Sequence, residues 1–371
     1  MEKIGLVKEP SFENRICFLP KELKRLTQEF DLDFFVEFGF GDDLDIPDTD
    51  FEKVGAKILT RETILNESDY ILSINDLSDT VVDEKHNTRI GIFNMFYYPE
   101  RIEKFLNKNT TVYSLDLLPR TTLAQSMDVL SSMASLAGYK AVLKATSYYN
   151  GAIPMFTTAA GTLNPAKVLV LGAGVAGLQA IATAKRLGAI VEAFDVRKSA
   201  GEEVRSLGAK FVEVEGAQDA KDAGGYAVAQ TEQYLKRQKE VIHNRIQNAD
   251  IVICTANIPG KKAPLLVEKT AIEAMKPGSV IVDMAAEQGG NCEMSRAGQI
   301  LQHNQVTIIG DSNLSRGVPQ AASQLLSTNY YNFLKYVLHA TKDGDVLLEK
   351  SKVIDKGILT NPVLINKLEL A

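Results

Sequence analysis

The stretch "KVLVLGAGVAGLQAIATAKRLGAIVEAFDVR", residues 167–197, constrains this chain more than any other. A Val/Leu run leads into Gly172, Gly174 and Gly177 at G-x-G-x-x-G spacing, and an alanine-rich helical pattern follows at once. In that context the first glycine permits a tight turn, the second lets backbone approach a pyrophosphate, and the third lets the helix pack closely on the strand. The helix start at Val175 offers free N–H groups and a positive dipole end to the diphosphate. The next strand-like run ends at Asp195, 23 residues beyond Gly172, where a carboxylate suits both hydroxyls of an adenosine ribose. That carboxylate, followed by Val196, repels a 2′-phosphate, so NAD(H) is expected over NADP(H). Arg197 pulls the other way, since an arginine there pairs with such a phosphate. A ligand-free turn with a solvated carboxylate is the plainer alternative, and it leaves the full strand–turn–helix–strand context unexplained.

A chain of 371 residues exceeds one ordinary core and implies two domains. Short apolar runs alternate with helical patterns twice over. The first series is "KIGLVKE", "DFFVEFG", "DYILSI", "RIGIFNMF" and "TVYSLDLL", with "LPKELKRLTQEF" as an amphipathic helix. The second is "KVLVLGAG", "AIVEAFDV", "KFVEV", "DIVICTA", "SVIVDMA" and "TIIGDSN". The second series lacks in/out alternation, as in strands covered on both faces. The reading is an α/β protein of two Rossmann-like parallel-sheet lobes joined by long helices. The first lobe takes residues 1–125 plus 320–371, and the dinucleotide lobe residues 126–319. One joining helix is predicted from Thr122 to Tyr148, with Leu123, Met127, Leu130, Ala134, Ala137 and Ala141 on one stripe. The other is "QAASQLLSTNYYNFLKYVLHAT", after which "VIDKGILTNPVLIN" reads as a hairpin returning to the first lobe. The charged segment from Ala220 to Ile246 opens on "DAGGYA", whose paired glycines suggest a mobile loop.

A formal charge of −6 argues against a nucleic-acid surface, which needs a basic face. Cys17, Cys254 and Cys292 are widely spaced, with no Cys/His cluster at zinc spacing, so three buried thiols and no metal are expected. The start "MEKIGLVKEP" has no signal-peptide apolar core, and the longest apolar run, Val168 to Ala184, carries three ordered glycines that suit a strand, turn and helix better than a membrane span. The chain reads as soluble.

A second polar group stands in "RTTLAQSMDVLSSM", residues 120–133. Thr122 and Gln125 have capping-box spacing, and Asp128 suits a helix's first turn. On spacing alone, capping is the preferred reading.

The longer stretches "PRTTLAQSMDVLSSMASLAGYKAV", "MFTTAAGTLNPAKVLVLGAGVAGLQAIATAKRLGA", "DVRKSAGEEVRSLGAKF", "IPGKKAPLL" and "MKPGSVIVDMAAEQGGNCE" resemble the NAD(H)-binding component of proton-translocating transhydrogenase, and the likeness extends over essentially the whole chain. The resemblance implies that Arg120, Gln125 and Asp128, with Ser131, hold the nicotinamide end of NAD(H) in a cleft between the lobes and serve the hydride step. It implies that Gly172, Gly174, Val175, Gly177, Asp195, Val196, Arg197 and Asn257 line the rest of the nucleotide, and that Gly225 and Tyr226 belong to the family's mobile loop. Asn257 departs from the pattern, because an apolar residue is expected before "IPG". Also implied are a homodimer, an NADP(H)-binding partner subunit, and a membrane-spanning subunit that translocates protons and tethers the complex to the inner membrane from the cytoplasm.

The fold also serves alanine dehydrogenase, the rival reading. Reductive amination needs a proton donor and acceptor, which that family draws from a lysine and a histidine in the first lobe. The matching segments here offer Ser73, Asn75 and Tyr97, while Arg15 stands where the rival anchors a carboxylate. The histidines His86, His243, His303 and His339 lie in charged or helical contexts that suit packing or surface roles. A non-catalytic NAD-binding module is the remaining alternative.

Overall fold

The computed structural model describes residues 1–77, 86–216, 231–258, 260–339 and 345–369. It divides into two units, Met1–Met133 with Pro319–Ala371, and Ala134–Val318.

The first unit carries β1 (Glu2–Leu6), β2 (Leu32–Glu37), β3 (Lys57–Leu59), β4 (Tyr70–Leu72), β5 (Asn87–Gly91) and β6 (Thr110–Ser114). They run parallel in the order β3-β2-β1-β4-β5-β6, so the chain winds outward from β1 in one direction and then in the other. Aromatic and aliphatic side chains such as Phe18, Phe34, Leu23 and Phe333 fill its main core.

The second unit opens with a small antiparallel ribbon, β7 (Phe156–Thr158) and β8 (Gly161–Leu163), all of whose residues are exposed. Its main sheet comprises β9 (Lys167–Leu171), β10 (Ile190–Phe194), β11 (Lys210–Phe211), β12 (Ile251–Cys254), β13 (Val280–Asp283), β14 (Ile300–His303) and β15 (Val306–Gly310). The order is β11-β10-β9-β12-β13-β15-β14, parallel except for β14 against β15. Along β9, Val168 and Val170 pack into one core while Leu169 and Leu171 pack into another. Both faces of the strand are therefore covered, which is why its sequence is apolar without alternation. Because β10 and β12 flank β9 on opposite sides, the crevice at their carboxyl ends is the switch point where such sheets take ligands.

The chain returns to the first unit on the helix Pro319–His339, and β16 (Lys352–Asp355) adds antiparallel to β6, with β17 (Ile358–Leu359) beyond it. The parallel-lobe architecture read from the sequence is present in each unit. Three details differ. The helix predicted from Thr122 starts at Val129, after a separate 3-10 turn over Leu123–Met127. The break falls at Asp128, whose ψ of 89° leaves the helical region and whose carboxylate accepts the Ser131 N–H at 2.9 Å, capping a new helix. The expected capping box is not formed, since Thr122 makes no side-chain cap bond. The short strands β3, β7, β8 and β14 have no counterpart in the sequence reading, because runs of three or four residues show no usable period.

Candidate functional site

The turn after β9 has the shape its glycines predict. Gly172 takes a φ of +103°, and a Cβ there would stand 2.6 Å from Thr255 Oγ1. A Cβ on Gly177 would stand 1.9 Å from the Gly172 carbonyl oxygen, so only glycine lets the helix Val175–Arg186 lie this close to the turn. Gly174 differs: nothing lies within 4 Å of its ideal Cβ position. Open space therefore stands over the one glycine expected to approach a diphosphate. The helix begins at exposed Val175 with no described side chain capping it, which leaves first-turn N–H groups available to an anion.

Asp195, just past β10, joins the turn to the strand end. Its Oδ2 accepts the Ala173 N–H at 2.8 Å, and its Oδ1 accepts the Arg197 N–H at 2.8 Å. The Arg197 guanidinium grips both oxygens at 3.0 Å and donates to the Ala173 carbonyl at 3.3 Å. Each carboxylate oxygen thus already accepts two N–H bonds, close to its capacity. A ribose reaching Asp195 must displace the guanidinium, a competition that the spacing of the residues did not disclose. Half-buried Val196 packs on the core beneath.

Across the switch point, Thr255 Oγ1 donates to the Gly172 carbonyl at 3.0 Å, and exposed Asn257 follows. Further along, fully buried Asp283 ends β13 and accepts the Ala285 and Cys292 N–H groups at 3.0 Å each. Asn313 Nδ2 donates to Glu287 Oε1 at 2.5 Å. Thr255, Asp283, Glu287 and Asn291 were not foreseen from the sequence; the paired Gly289 and Gly290 after an apolar strand were the available signal. A separate groove of about 640 Å³, lined by Lys140, Lys144, Tyr148, Asp311 and Arg316 among others, contains none of the predicted residues.

In the first unit, Asp128 binds both the N–H and the Oγ of Ser131, while Arg120 and Gln125 are exposed on the same segment. The turn is bolted down from behind, because the Ser126 carbonyl accepts Nδ2 of Asn329 at 2.9 Å and of Asn332 at 3.0 Å. Gly225 and Tyr226 lie outside the described residues.

The first unit's own switch point, at the ends of β1 and β4, is filled by its own side chains. Arg15 forks onto Glu13 at 2.6 Å through both Nε and NH2. Asn75 Nδ2 donates to Glu9 at 3.0 Å and to Glu13 at 3.2 Å, and Ser73 Oγ donates to the Asn75 carbonyl. Burial pushes the Glu9 carboxyl up to about 7 despite N–H bonds from Ile74 and Asn75, and Glu13 adds to the rise. An amide, not an ammonium, bridges the two carboxylates. Tyr97 donates its backbone N–H to the Asn94 carbonyl.

A doubly wound sheet with a glycine-built turn and an acidic strand end at its switch point defines the dinucleotide-binding class of α/β proteins. The chain belongs to the alanine dehydrogenase/PNT family, whose N-terminal domain matches residues 5–137 and whose C-terminal domain matches residues 141–365. It is 41% identical over 360 residues to the first of the polypeptides that make up NAD(P) transhydrogenase subunit alpha in Rhodospirillum rubrum, covering 94% of this chain and 93% of that one. The solved transhydrogenase of Sinorhizobium meliloti is 37% identical with a TM-score of 0.85, over 98% of this chain and 100% of that one. A solved L-alanine dehydrogenase is 22% identical with a TM-score of 0.82 over the full length of both, which bears on the fold alone.

Proposed function

We propose that this chain is the NAD(H)-binding component of a proton-translocating transhydrogenase. The observation that carries the reading is the open space over Gly174 between two glycines that tolerate no side chain, at the start of an uncapped helix. Gly172, Gly174, Val175 and Gly177 hold the diphosphate by backbone, Asp195 takes the adenosine ribose from Arg197, and Val196 and Asn257 flank the base. Arg120, Gln125, Asp128 and Ser131, with Gly225 and Tyr226, orient and enclose the nicotinamide. Bound there, the nicotinamide supplies or accepts a hydride in direct exchange with NADP(H) held by a partner subunit. No substrate proton moves in that step, so the protein's contribution is positioning and water exclusion.

Two further observations support the reading. In place of the acid/base pair that an amino-acid dehydrogenase needs, the first unit's switch point holds Asn75 between Glu9 and Glu13, with Arg15 already engaged. The β7–β8 ribbon exposes Met155, Phe156 and Leu163, and two-stranded ribbons are marginal alone in water. A second copy of the chain covering it fits a homodimer. Among the described residues no helix is long and apolar enough to cross a membrane, which fits a peripheral, cytoplasmic component coupled to protons through a membrane-spanning partner.

Titration of the chain with NADH and NADPH tests the assignment of Asp195. NADH should bind on the order of a hundredfold more tightly, because Asp195 opposes a 2′-phosphate. Equal affinities would remove Asp195 from the ribose site.

A further inference from the structure

The loop over residues 256–264 forms the wall opposite the glycine turn, and a Gly172 Cβ would stand 3.0 Å from its first nitrogen, that of Ala256. One side chain ties its two ends. Nδ2 of Asn291, fully buried, donates to the Ala256 carbonyl at 2.8 Å and to the Pro264 carbonyl at 2.8 Å. The Asn291 carbonyl accepts the N–H groups of Leu266 and Val267 at 2.9 Å each, and the Ala263 N–H reaches the Gln288 carbonyl at 2.8 Å. Asn291 is itself held in place. Asp283 binds the N–H groups of Ala285 and Cys292 on either side of it, and the turn passes through Gly289 and Gly290 at φ values of 96° and 76°.

Both N–H bonds of one amide are therefore spent on the first and last carbonyls of the same loop. Only Asn or Gln carries two such donors on one neutral nitrogen, and Gln is a methylene too long for the same place. We propose that Asn291 is a positioning residue for the dinucleotide, a clasp that fixes the 256–264 loop, and with it exposed Asn257, in the shape that receives the nucleotide. The proposal rests on the NAD(H) reading above. Asn291 acts through the loop, so its removal changes affinity without removing a nucleotide contact.

The test is NADH titration of the full chain as wild type, N291D and N291A, between about pH 6 and about pH 8, with melting curves for each. An ionised carboxylate at 291 faces two carbonyl oxygens, so folded N291D should bind NADH about tenfold more weakly at the upper pH. The loss should shrink toward the lower pH, because a protonated carboxyl restores one of the two donors, whereas wild type shows no such recovery. N291A removes atoms without adding charge, and it serves where N291D does not fold; it should lose affinity by a similar factor with no recovery at low pH. A purely structural role would lower the melting temperature and leave the affinity of the folded protein and its pH dependence alone. Affinity within about twofold of wild type in the folded variant, at every pH, overturns the clasp. Wild type that binds no NADH overturns the nucleotide reading, and the clasp with it.

Discussion

At the scale of single residues, the chain holds two polar groups whose roles separate cleanly in variants. Gln125 is exposed, and Thr122 makes no cap, so the amide does not stabilise the helix that follows. Gln125→Asn withdraws the amide by one methylene while the diphosphate stays anchored at Gly172 to Gly177. Hydride exchange with the NADP(H)-binding partner should slow by roughly tenfold to a hundredfold, with a much smaller change in NADH affinity and none in melting temperature. A variant that melts lower but exchanges hydride normally would make Gln125 structural after all. Glu9 carries a different signature. Its carboxyl is raised by burial from 4.5 to about 7, beside Glu13, Asn75 and the Ile74 N–H. The folded state thus holds a proton that the unfolded state releases above pH 4.5. Glu9 therefore adds stability below that pH and loses it as pH rises through about 7. Within the window the slope is about 1.4 kcal/mol per pH unit, falling with pH. Denaturant unfolding of wild type and Glu9→Gln over that window measures it, and the variant should lack this component; identical slopes would mean that Glu9 does not titrate there.

At the scale of elements, the glycine turn makes the sharpest contrast. Gly177→Ala drives a Cβ to within 1.9 Å of the Gly172 carbonyl, so strand and helix must part, at a cost of about 3 kcal/mol. Gly174→Ala meets nothing within 4 Å, and φ −78° with ψ −168° suits alanine. It should melt like wild type yet lose most NADH affinity, since the methyl stands where the diphosphate approaches. Unchanged affinity in Gly174→Ala would move the nucleotide off this turn. The turn was legible in the sequence because steric exclusion is written directly in glycine, and the apolar runs of β9, β10, β12, β13 and β15 were legible because both faces are buried. The helix start was misread because Leu123, Met127 and Leu130 keep helical spacing through a place where Asp128 ends one turn and caps the next. The grip of Arg197 on Asp195 and the reach of Asn291 across its loop were illegible, since each depends on where a side chain ends up after the strands have paired.

At the scale of the whole molecule, the chain holds one glycine-built dinucleotide turn, in the second unit, and a first-unit switch point closed by Arg15, Glu13, Asn75 and Glu9. A self-sufficient amino-acid dehydrogenase needs a proton donor and acceptor at that second place, and a transhydrogenase component needs only a second nicotinamide from elsewhere. The most direct test is therefore hydride exchange by the purified chain, alone and with an NADP(H)-binding partner component, set beside its oxidation of NADH with pyruvate and ammonium. The account predicts hydride exchange that appears only when the partner is added, and no amination-dependent oxidation of NADH above background. Amination turnover by the chain alone, on the order of 1 per second or faster, would contradict it.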